Sequence, residues 1–302
     1  MHPCPAHVRN TGAADRTSPT AETLSVEHTK TGQTPSAADS SAMDLSPAQL
    51  TEWLWNNFSR SIDSDDKIEQ PAVSVADTGS WITSFTAEGN DFDHKKVRAR
   101  ELPGGLDGCG LVLENVLTRK ECQRIIAKTE GLGYGLLGRG KTGAAYRGNQ
   151  RVQMDDVTGA LGAEIWRRIS EYVPTADVLP DEEGVWGAEG LNSRFRFAKY
   201  SAGEGFAKHV DKPTIFEPER CSILTVNIYL NDLAPEQGGR TRFYTKPGGF
   251  GQPAVSAGGC AGSLVLFKQA VVEHSPWHDG ERLEHGLKYL MRTDVIYNKV
   301  PR

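Results

Sequence analysis

The stretch Ser222-Ile-Leu-Thr-Val-Asn-Ile-Tyr-Leu230 alternates between polar and aliphatic side chains. In an extended strand, neighbouring side chains point to opposite faces, so Thr225, Asn227 and Tyr229 share one face. The other face carries Leu224, Val226, Ile228 and Leu230. A buried polar face costs free energy unless its groups find partners. We therefore predict that this strand lines a cavity that holds a polar ligand.

Further short runs with strand character surround this stretch in the last third of the chain. Turns rich in glycine separate them, for example Lys246-Pro-Gly-Gly249. Many short strands divided by such turns are typical of an all-β sandwich or barrel. The other predicted strands are Gly110–Val116, Arg194–Tyr200, Arg240–Tyr244, Ser263–Phe267 and Lys288–Tyr297.

Helical patterns precede the β-rich region. Thr118-Arg-Lys-Glu121 is a capping box, which predicts a helix that ends near Gly131. A second apolar stripe at helical spacing follows Asp155, and Pro174 closes it. An earlier helix is predicted over about 46–61. Helices followed by a β core indicate an α+β fold.

The chain divides into three parts by composition. Residues 1–44 are polar and cannot bury enough apolar surface to offset their ordering entropy, so we expect a disordered tail. Residues 45–105 are predicted to hold the N-terminal helix and an irregular segment. Residues 106–302 are predicted to form one domain, whose metal-binding core spans about 192–300.

The bulk composition excludes several classes of protein. A net charge of −5 without a basic stripe argues against a nucleic-acid partner. No apolar run approaches the length of a membrane span, and the first residues lack the apolar core of a signal peptide. The five cysteines include no CxxC pair, and their odd number suggests a reducing compartment. We expect a cytoplasmic protein.

His209-Val-Asp211 is a candidate metal-binding pair. In an extended segment, residues two apart face the same side, about 6.5–7 Å from each other. An imidazole and a carboxylate can then converge on one ion, and a histidine from a distant strand would complete a facial triad. Such a triad leaves three positions open for a co-substrate and O₂. The alternative reading is a solvated pair on a loop.

Two histidines compete for the third ligand position, His274 and His278. Pro276 between them argues against a helical pair of zinc ligands. Asp279-Gly280 forms a turn signal after His278, and a predicted strand follows it. We therefore choose His278 and assign His274 to the surface or to the surroundings of the ligands.

Five segments together resemble the prolyl 4-hydroxylase-like group of 2-oxoglutarate, Fe(II)-dependent oxygenases, in order and spacing, over about residues 106–300. They are Tyr200-Ser-Ala-Gly203, His209-Val-Asp211, Tyr229-Leu-Asn231, Gly238-Gly239-Arg-Thr-Arg-Phe243, and His278-Asp-Gly280 with Gly286-Leu-Lys288 and Arg292-Thr-Asp294. The resemblance implies a double-stranded β-helix (jelly-roll) core with supporting N-terminal helices. It also implies an Fe(II) dioxygenase that consumes 2-oxoglutarate and O₂, releases succinate and CO₂, and uses ascorbate as reductant.

The resemblance assigns residues to 2-oxoglutarate. Lys288, ten residues after the distal histidine, is expected to pair with the distal carboxylate, and Tyr200 is expected to contact the same molecule. Tyr229 is a candidate donor to that carboxylate, and it shares its strand face with Thr225 and Asn227, two further candidates. Arg292 lies four residues after Lys288 on a strand, so it faces the same way and is a second candidate cation.

A competing pattern occurs at Gly135-Leu-Leu-Gly-Arg-Gly-Lys-Thr142, which fits GxxxxGK[ST], the phosphate-binding loop. Such a loop needs a buried strand before it, whereas here a capped helix precedes it. We interpret the stretch as a loop beside the active site. A nucleotide-binding protein and a non-catalytic jelly-roll binding protein remain alternatives of another class.

The sequence is least informative about the substrate. Arg147, Asn149 and Arg151 are two residues apart and are candidates to reach the substrate cavity, as is Arg196. Arginines of this kind, with Arg194, suit an acidic small molecule or an amino-acid derivative, or a peptide backbone. We favour a small-molecule or amino-acid-like substrate that is hydroxylated or oxidised in a related way. A protein prolyl hydroxylase is the alternative within the same chemistry.

Overall fold

The computed structural model describes residues 72–82, 92–136, 148–174, 184–270 and 275–301. These ranges contain two α-helices, α1 (Arg119–Leu132) and α2 (Ala160–Ile169). Their strands are β1 (Val73–Val75), β2 (Arg98–Glu101), β3 (Gly110–Glu114), β4 (Gly135–Leu136), β5 (Gln150–Asp156), β6 (Gly184–Leu191), β7 (Arg194–Ser201), β8 (Phe206–His209), β9 (Ile215–Glu217), β10 (Arg220–Tyr229), β11 (Thr241–Tyr244), β12 (Val255–Ala257), β13 (Leu264–Lys268), β14 (Trp277–Gly280) and β15 (Leu287–Pro301).

The strands form two sheets. The major sheet has the order β1-β5-β7-β15-β10-β13-β3-β2, with β4, β6 and β9 attached at its sides, and the minor sheet has the order β12-β11-β14-β8. Eight of these strands form two facing sheets. Strands β7-β15-β10-β13 of the major sheet face strands β8-β14-β11-β12 of the minor sheet. This arrangement is a double-stranded β-helix, and the predicted fold class is confirmed.

Strand β10 divides the apolar interior into two cores, as its alternation predicts. Its aliphatic face, including Leu224 and Val226, packs against the helices through Ile125 and Leu161. Its other face contributes Tyr229 to a second core between the sheets. Full burial of each large aliphatic side chain stabilises the fold by about 1.5–3 kcal/mol. The polar side chains of β10 therefore lie between the sheets.

Helix α1 begins at the predicted capping box. The Thr118 hydroxyl accepts a hydrogen bond from the Glu121 amide, and the Glu121 carboxylate accepts one from the Thr118 amide. Glu121 also forms a fully buried ion pair with Arg168 of α2, at 2.8 Å. Arg168 donates a further hydrogen bond to the carbonyl oxygen of Val116. The two helices are thus joined to each other and to the end of β3.

The sheet extends beyond the predicted start of the domain at residue 106. Within the segment predicted to be irregular, β1 pairs in parallel with β5, and β2 pairs antiparallel with β3. Both strands are short and mostly exposed, so they lack the alternation by which strands are recognised. The helix predicted over about 46–61 lies outside the described ranges. None of the helices in the described part of the chain is long and apolar enough to cross a membrane.

Candidate metal centre and co-substrate cleft

Three predicted ligands meet at the edge of the minor sheet. His209 at the end of β8 and His278 in β14 are direct cross-strand partners, and their ring centroids lie 4.2 Å apart. Asp211 follows His209 by two residues and turns its carboxylate to both imidazoles. One donor atom from each of the three residues lies within 4.8 Å of the other two. Two imidazoles and one carboxylate suit a divalent transition metal.

Hydrogen bonds fix the orientation of each donor. Nδ1 of His209 lies 2.8 Å from the carbonyl oxygen of Ala207, and Nδ1 of His278 lies 3.1 Å from that of Pro276. A proton on each Nδ1 satisfies these contacts and leaves both Nε2 atoms free as ligands. Nε2 of His209 and of His278 lie 3.3 and 3.6 Å from the carboxylate oxygens of Asp211. Such outer contacts set tautomer and ring orientation.

The protonation states also suit a metal. Burial, together with the neighbouring His209, lowers the pKa of His278 to about 4. Burial alone would raise the pKa of Asp211, but Arg292 and the two histidines hold it well below its usual range. At neutral pH the site therefore offers a neutral imidazole at His278 and a carboxylate at Asp211. These are the metal-binding forms of the two groups.

Side chains of the major sheet hold the Asp211 carboxylate in place. The Thr225 hydroxyl donates to Oδ2 at 2.8 Å, and Nη1 of Arg292 donates to Oδ1 at 3.0 Å. The Gln269 amide nitrogen in turn donates to the Thr225 hydroxyl and to the Asp294 carboxylate. Arg292, predicted to bind a co-substrate or substrate anion, thus contacts a predicted metal ligand.

A cleft that is open to solvent lies between the sheets beside this cluster. Lys288 lines it and is only 2% exposed. Its Nζ lies 4.6 Å from the centroid of the Tyr200 ring and 5.9 Å from that of Tyr229. Among the described residues no carboxylate forms an ion pair with it, and burial lowers its pKa to about 8. A buried ammonium without a counter-ion is a site for an anion.

The predicted co-substrate residues take different places around Lys288. Tyr200 and Asn227 line the cleft. Tyr229 is 1% exposed, and its hydroxyl lies 2.5 Å from that of Thr241, which does line the cleft. A Cβ at Gly258 would lie 2.2 Å from the Tyr229 ring, so that position needs glycine. Tyr229 therefore contacts Thr241, which lines the cleft, and does not line the cleft itself.

The predicted substrate residues separate into two groups. Asn149 on the approach to β5, Arg151 in β5 and Arg196 in β7 line the cleft. Arg194 instead pairs with Asp155 on the outside, with its Nε 2.9 Å from the carboxylate. Arg147 and the competing ligand His274 lie outside the described residues.

The stretch that fits a phosphate-binding loop follows helix α1, as the capping box implies. Its first two residues, Gly135–Leu136, form β4 and pair antiparallel with β5. The remainder, 137–142, lies outside the described residues. A phosphate-binding loop requires a strand before it, and the element that precedes this one is a helix.

Several residues of the site were not predicted from the sequence. Phe206 lines the cleft and stacks beside His209 with ring centroids 4.5 Å apart. Thr241 could have been found from the alternation of its strand, because it shares a face with the buried Phe243. Gln269 directly follows β13, and Asp294 follows two polar residues in β15, so neither stands out in the sequence. The register of β10, β13 and β15 brings them to Thr225.

Two histidines and one carboxylate with open positions are the donor set of non-haem Fe(II) oxygenases. Residues 195–293 match the family model described as the 2OG-Fe(II) oxygenase superfamily. This match covers about a third of the chain and includes all three predicted metal ligands, so this part of the chain is similar to Fe(II)- and 2-oxoglutarate-dependent oxygenases. No curated protein sequence matches the chain.

Solved structures with a similar arrangement share little sequence with the chain. A viral collagen prolyl hydroxylase from Paramecium Bursaria Chlorella virus-1 is 15% identical, with 65% of this chain and 99% of that chain covered and a TM-score of 0.44. A Pseudomonas putida prolyl-4-hydroxylase is 19% identical, with 66% and 91% covered and a TM-score of 0.38. HygX from Streptomyces hygroscopicus, solved with nickel, 2-oxoglutarate and hygromycin B, is 14% identical, with 63% and 82% covered and a TM-score of 0.41.

Proposed function

We propose that this chain oxidises an unactivated C–H bond of a small-molecule or amino-acid-like substrate, with Fe(II) held by His209, Asp211 and His278. The observation that carries the proposal is the meeting of two features in one cleft. The first is the cluster of three donors, and the second is the buried Lys288 without a carboxylate partner among the described residues. A metal fits the three donors, and a carboxylate of a dianionic co-substrate fits Lys288.

Lys288 is proposed to bind the distal carboxylate of 2-oxoglutarate, with Tyr200 and Thr241 beside it. When bound, Fe(II) and 2-oxoglutarate supply the oxidising chemistry, in which 2-oxoglutarate and O₂ yield succinate, CO₂ and the oxidised substrate. Ascorbate is the expected reductant. Thr225 and Arg292 position the Asp211 carboxylate, because each donates to one of its oxygens. Leu290 and Phe206 give the cleft part of its apolar lining.

The test is the release of succinate by the purified protein with Fe(II), ascorbate and 2-oxoglutarate, without a second substrate. We expect slow turnover in the native protein and none in His209→Ala or Asp211→Ala. His285→Ala is the matched control, because His285 is an exposed histidine away from the cleft. Unchanged turnover in both ligand variants would overturn the proposal.

The choice of third ligand has its own test, the iron content of His274→Ala and His278→Ala. We expect loss of iron at His278 alone. Loss at His274 alone would assign the ligand to the other histidine, and it would leave the class of reaction unchanged.

A further inference from the structure

One wall of the cleft carries a concentration of guanidinium and amide groups. Of its arginines, Arg292 also donates to the proposed iron ligand Asp211. Arg196, Arg292 and Asn227 are neighbours across β7, β15 and β10, because Arg196 pairs with Arg292 and Arg292 with Asn227 in the register of the sheet. Arg151 and Asn149 line the same cleft from β5 and the residue before it. We call these five residues the cationic wall.

Two acids lie against the guanidinium groups of Arg196 and Arg292. Asp294 lies 3.7 Å from Arg196 and 3.5 Å from Arg292, so one carboxylate serves two guanidinium groups. Asp211 is the other acid in contact with Arg292, and it is a proposed iron ligand. Burial and the charge of Arg292 lower the pKa of Arg196. Two adjacent guanidinium groups repel each other, and an anion placed against them relieves the repulsion.

Amide atoms of the cationic wall that lack hydrogen-bond partners indicate that a ligand binds there. Asn149 is 3% exposed, and in the described part of the chain neither its Oδ1 nor its Nδ2 has a hydrogen-bond partner. Oδ1 of Asn227, itself 7% exposed, also lacks one. Buried amide groups in proteins are nearly always paired, because leaving them unpaired costs free energy. The two Oδ1 atoms can only accept, so the missing ligand carries N–H or O–H donors as well as negative charge.

The proposed co-substrate does not account for this wall. Lys288 lies four residues before Arg292 on β15, which is about 13 Å along the strand. In the proposed binding mode, Lys288 binds one carboxylate of 2-oxoglutarate and the metal binds the other. Arg196 and Asn149 then remain for a different molecule that also lies beside the metal.

We infer that the oxidised substrate is a free α-amino acid or a closely related small amino carboxylic acid, bound by its carboxylate to Arg196 and Arg292. Its amino group donates to the orphaned oxygens of Asn149 and Asn227. This inference rests on the proposed function, since it assigns the substrate of the same site. It also separates the substrate from a residue inside a peptide, which has neither a free carboxylate nor a free amine.

The experiment uses the protein loaded with Fe(II) and 2-oxoglutarate without oxygen, and it measures binding by calorimetry. The probes are the twenty common α-amino acids, 4-hydroxyproline and ornithine, each beside its α-amide, which lacks the negative charge. We expect at least one acid to bind and its amide to bind at least tenfold more weakly. The same acid should increase succinate release when oxygen is admitted.

Arg196→Gln should weaken binding of that acid by roughly tenfold to a hundredfold, the usual loss for a charge-assisted hydrogen bond. Arg196→Lys keeps the charge without the planar fork and should lose less. Arg194→Gln is the matched control, because Arg194 is two residues away and pairs with Asp155 outside the cleft. Thermal melting of each variant shows whether it is folded. The comparison of each acid with its amide uses the native protein, so it does not depend on the folding of any variant.

Three results would overturn the inference. They are equal binding of acid and amide, no binding by any acid in the panel, and turnover with a blocked peptide in place of a free acid. Succinate release without any probe reports on the proposed function by itself. A protein that turns over 2-oxoglutarate but ignores the acids therefore refutes the substrate and leaves the oxygenase intact.

Discussion

Lys288 is a buried ammonium group whose Nζ lies over two aromatic rings, those of Tyr200 and Tyr229. Because burial lowers its pKa to about 8, half of the free protein lacks this charge at pH 8. A bound carboxylate favours the charged form, so the affinity for 2-oxoglutarate falls as the pH rises through 8. We expect a loss of up to about tenfold per pH unit above that point. Anaerobic calorimetry between pH 6.5 and 9.5 measures it, and a flat profile there would contradict the assignment.

The same residue should destabilise the protein when no ligand is bound. The pKa of Lys288 falls from 10.5 to about 8 on folding, so below pH 8 the folded state carries the full cost of a buried charge. This cost is roughly 3–4 kcal/mol, and it disappears as the pH rises from 8 to 10.5. Lys288→Met should therefore raise the free energy of unfolding of the ligand-free protein at pH 7, as measured in urea, while it abolishes 2-oxoglutarate binding. Lys199→Met, which breaks an ion pair with Glu130 at the surface, should change stability by less than about 1 kcal/mol.

Thr225 illustrates a residue that acts through another. Its hydroxyl donates to the Asp211 carboxylate and accepts from Gln269, so Thr225→Val leaves Asp211 with one donor fewer at nearly constant volume. We expect iron affinity to fall by roughly tenfold to a hundredfold, the usual effect of losing an outer contact to a metal ligand. Metal titration followed by calorimetry measures it. Thr293→Val, equally buried and bonded to the backbone of Asn192, should leave iron affinity unchanged.

At the scale of elements, the two helices depend on a buried ion pair. Glu121 and Arg168 are fully buried, and replacing Glu121 by leucine removes the 2.8 Å ion pair from the guanidinium, whose Nε also lies 3.0 Å from the partly exposed Glu164. We expect a loss of about 3 kcal/mol in the free energy of unfolding, measured in urea. The double variant Glu121→Leu with Arg168→Met removes both charges and should recover most of that loss. If the double variant were as unstable as the single one, altered packing rather than the unpaired charge of Arg168 would explain the loss of stability.

The elements could be predicted where the signal is local. Alternation in β10 and the capping box of α1 depend on residues a few positions apart, and both are found in the structure. Strands β1 and β2 were missed because short exposed strands have no such pattern and are held by their partners β5 and β3. The place of β1 is decided by its register with β5, a distant part of the chain, whereas β2 pairs with the next strand along the chain.

For the whole molecule, the metal and 2-oxoglutarate are expected to join the two sheets. His209 and His278 belong to the minor sheet or its edge, whereas Lys288 belongs to the major sheet. Ligands that bind only the folded state at a hundred times their dissociation constant stabilise it by about 2.7 kcal/mol. We expect the melting temperature to rise by roughly 5–10 °C when both are added. Asp211→Ala should show no rise with the metal, and a full rise in that variant would mean that the ion binds elsewhere.

The sequence by itself determined the chemical type of this protein. The alternation of β10, the spacing of His209 and Asp211, and the turn after His278 suggested a cavity and its donors, because each of these signals is local along the chain. The resemblance of five segments to 2-oxoglutarate oxygenases supplied the expected reaction. The tertiary structure decided what the local signals leave open. The cross-strand register sets His278 beside His209, turns Arg292 to Asp211, and assembles the cationic wall from β5, β7, β10 and β15. Long-range pairing of this kind depends on how the sheets close, and no short stretch of sequence encodes it.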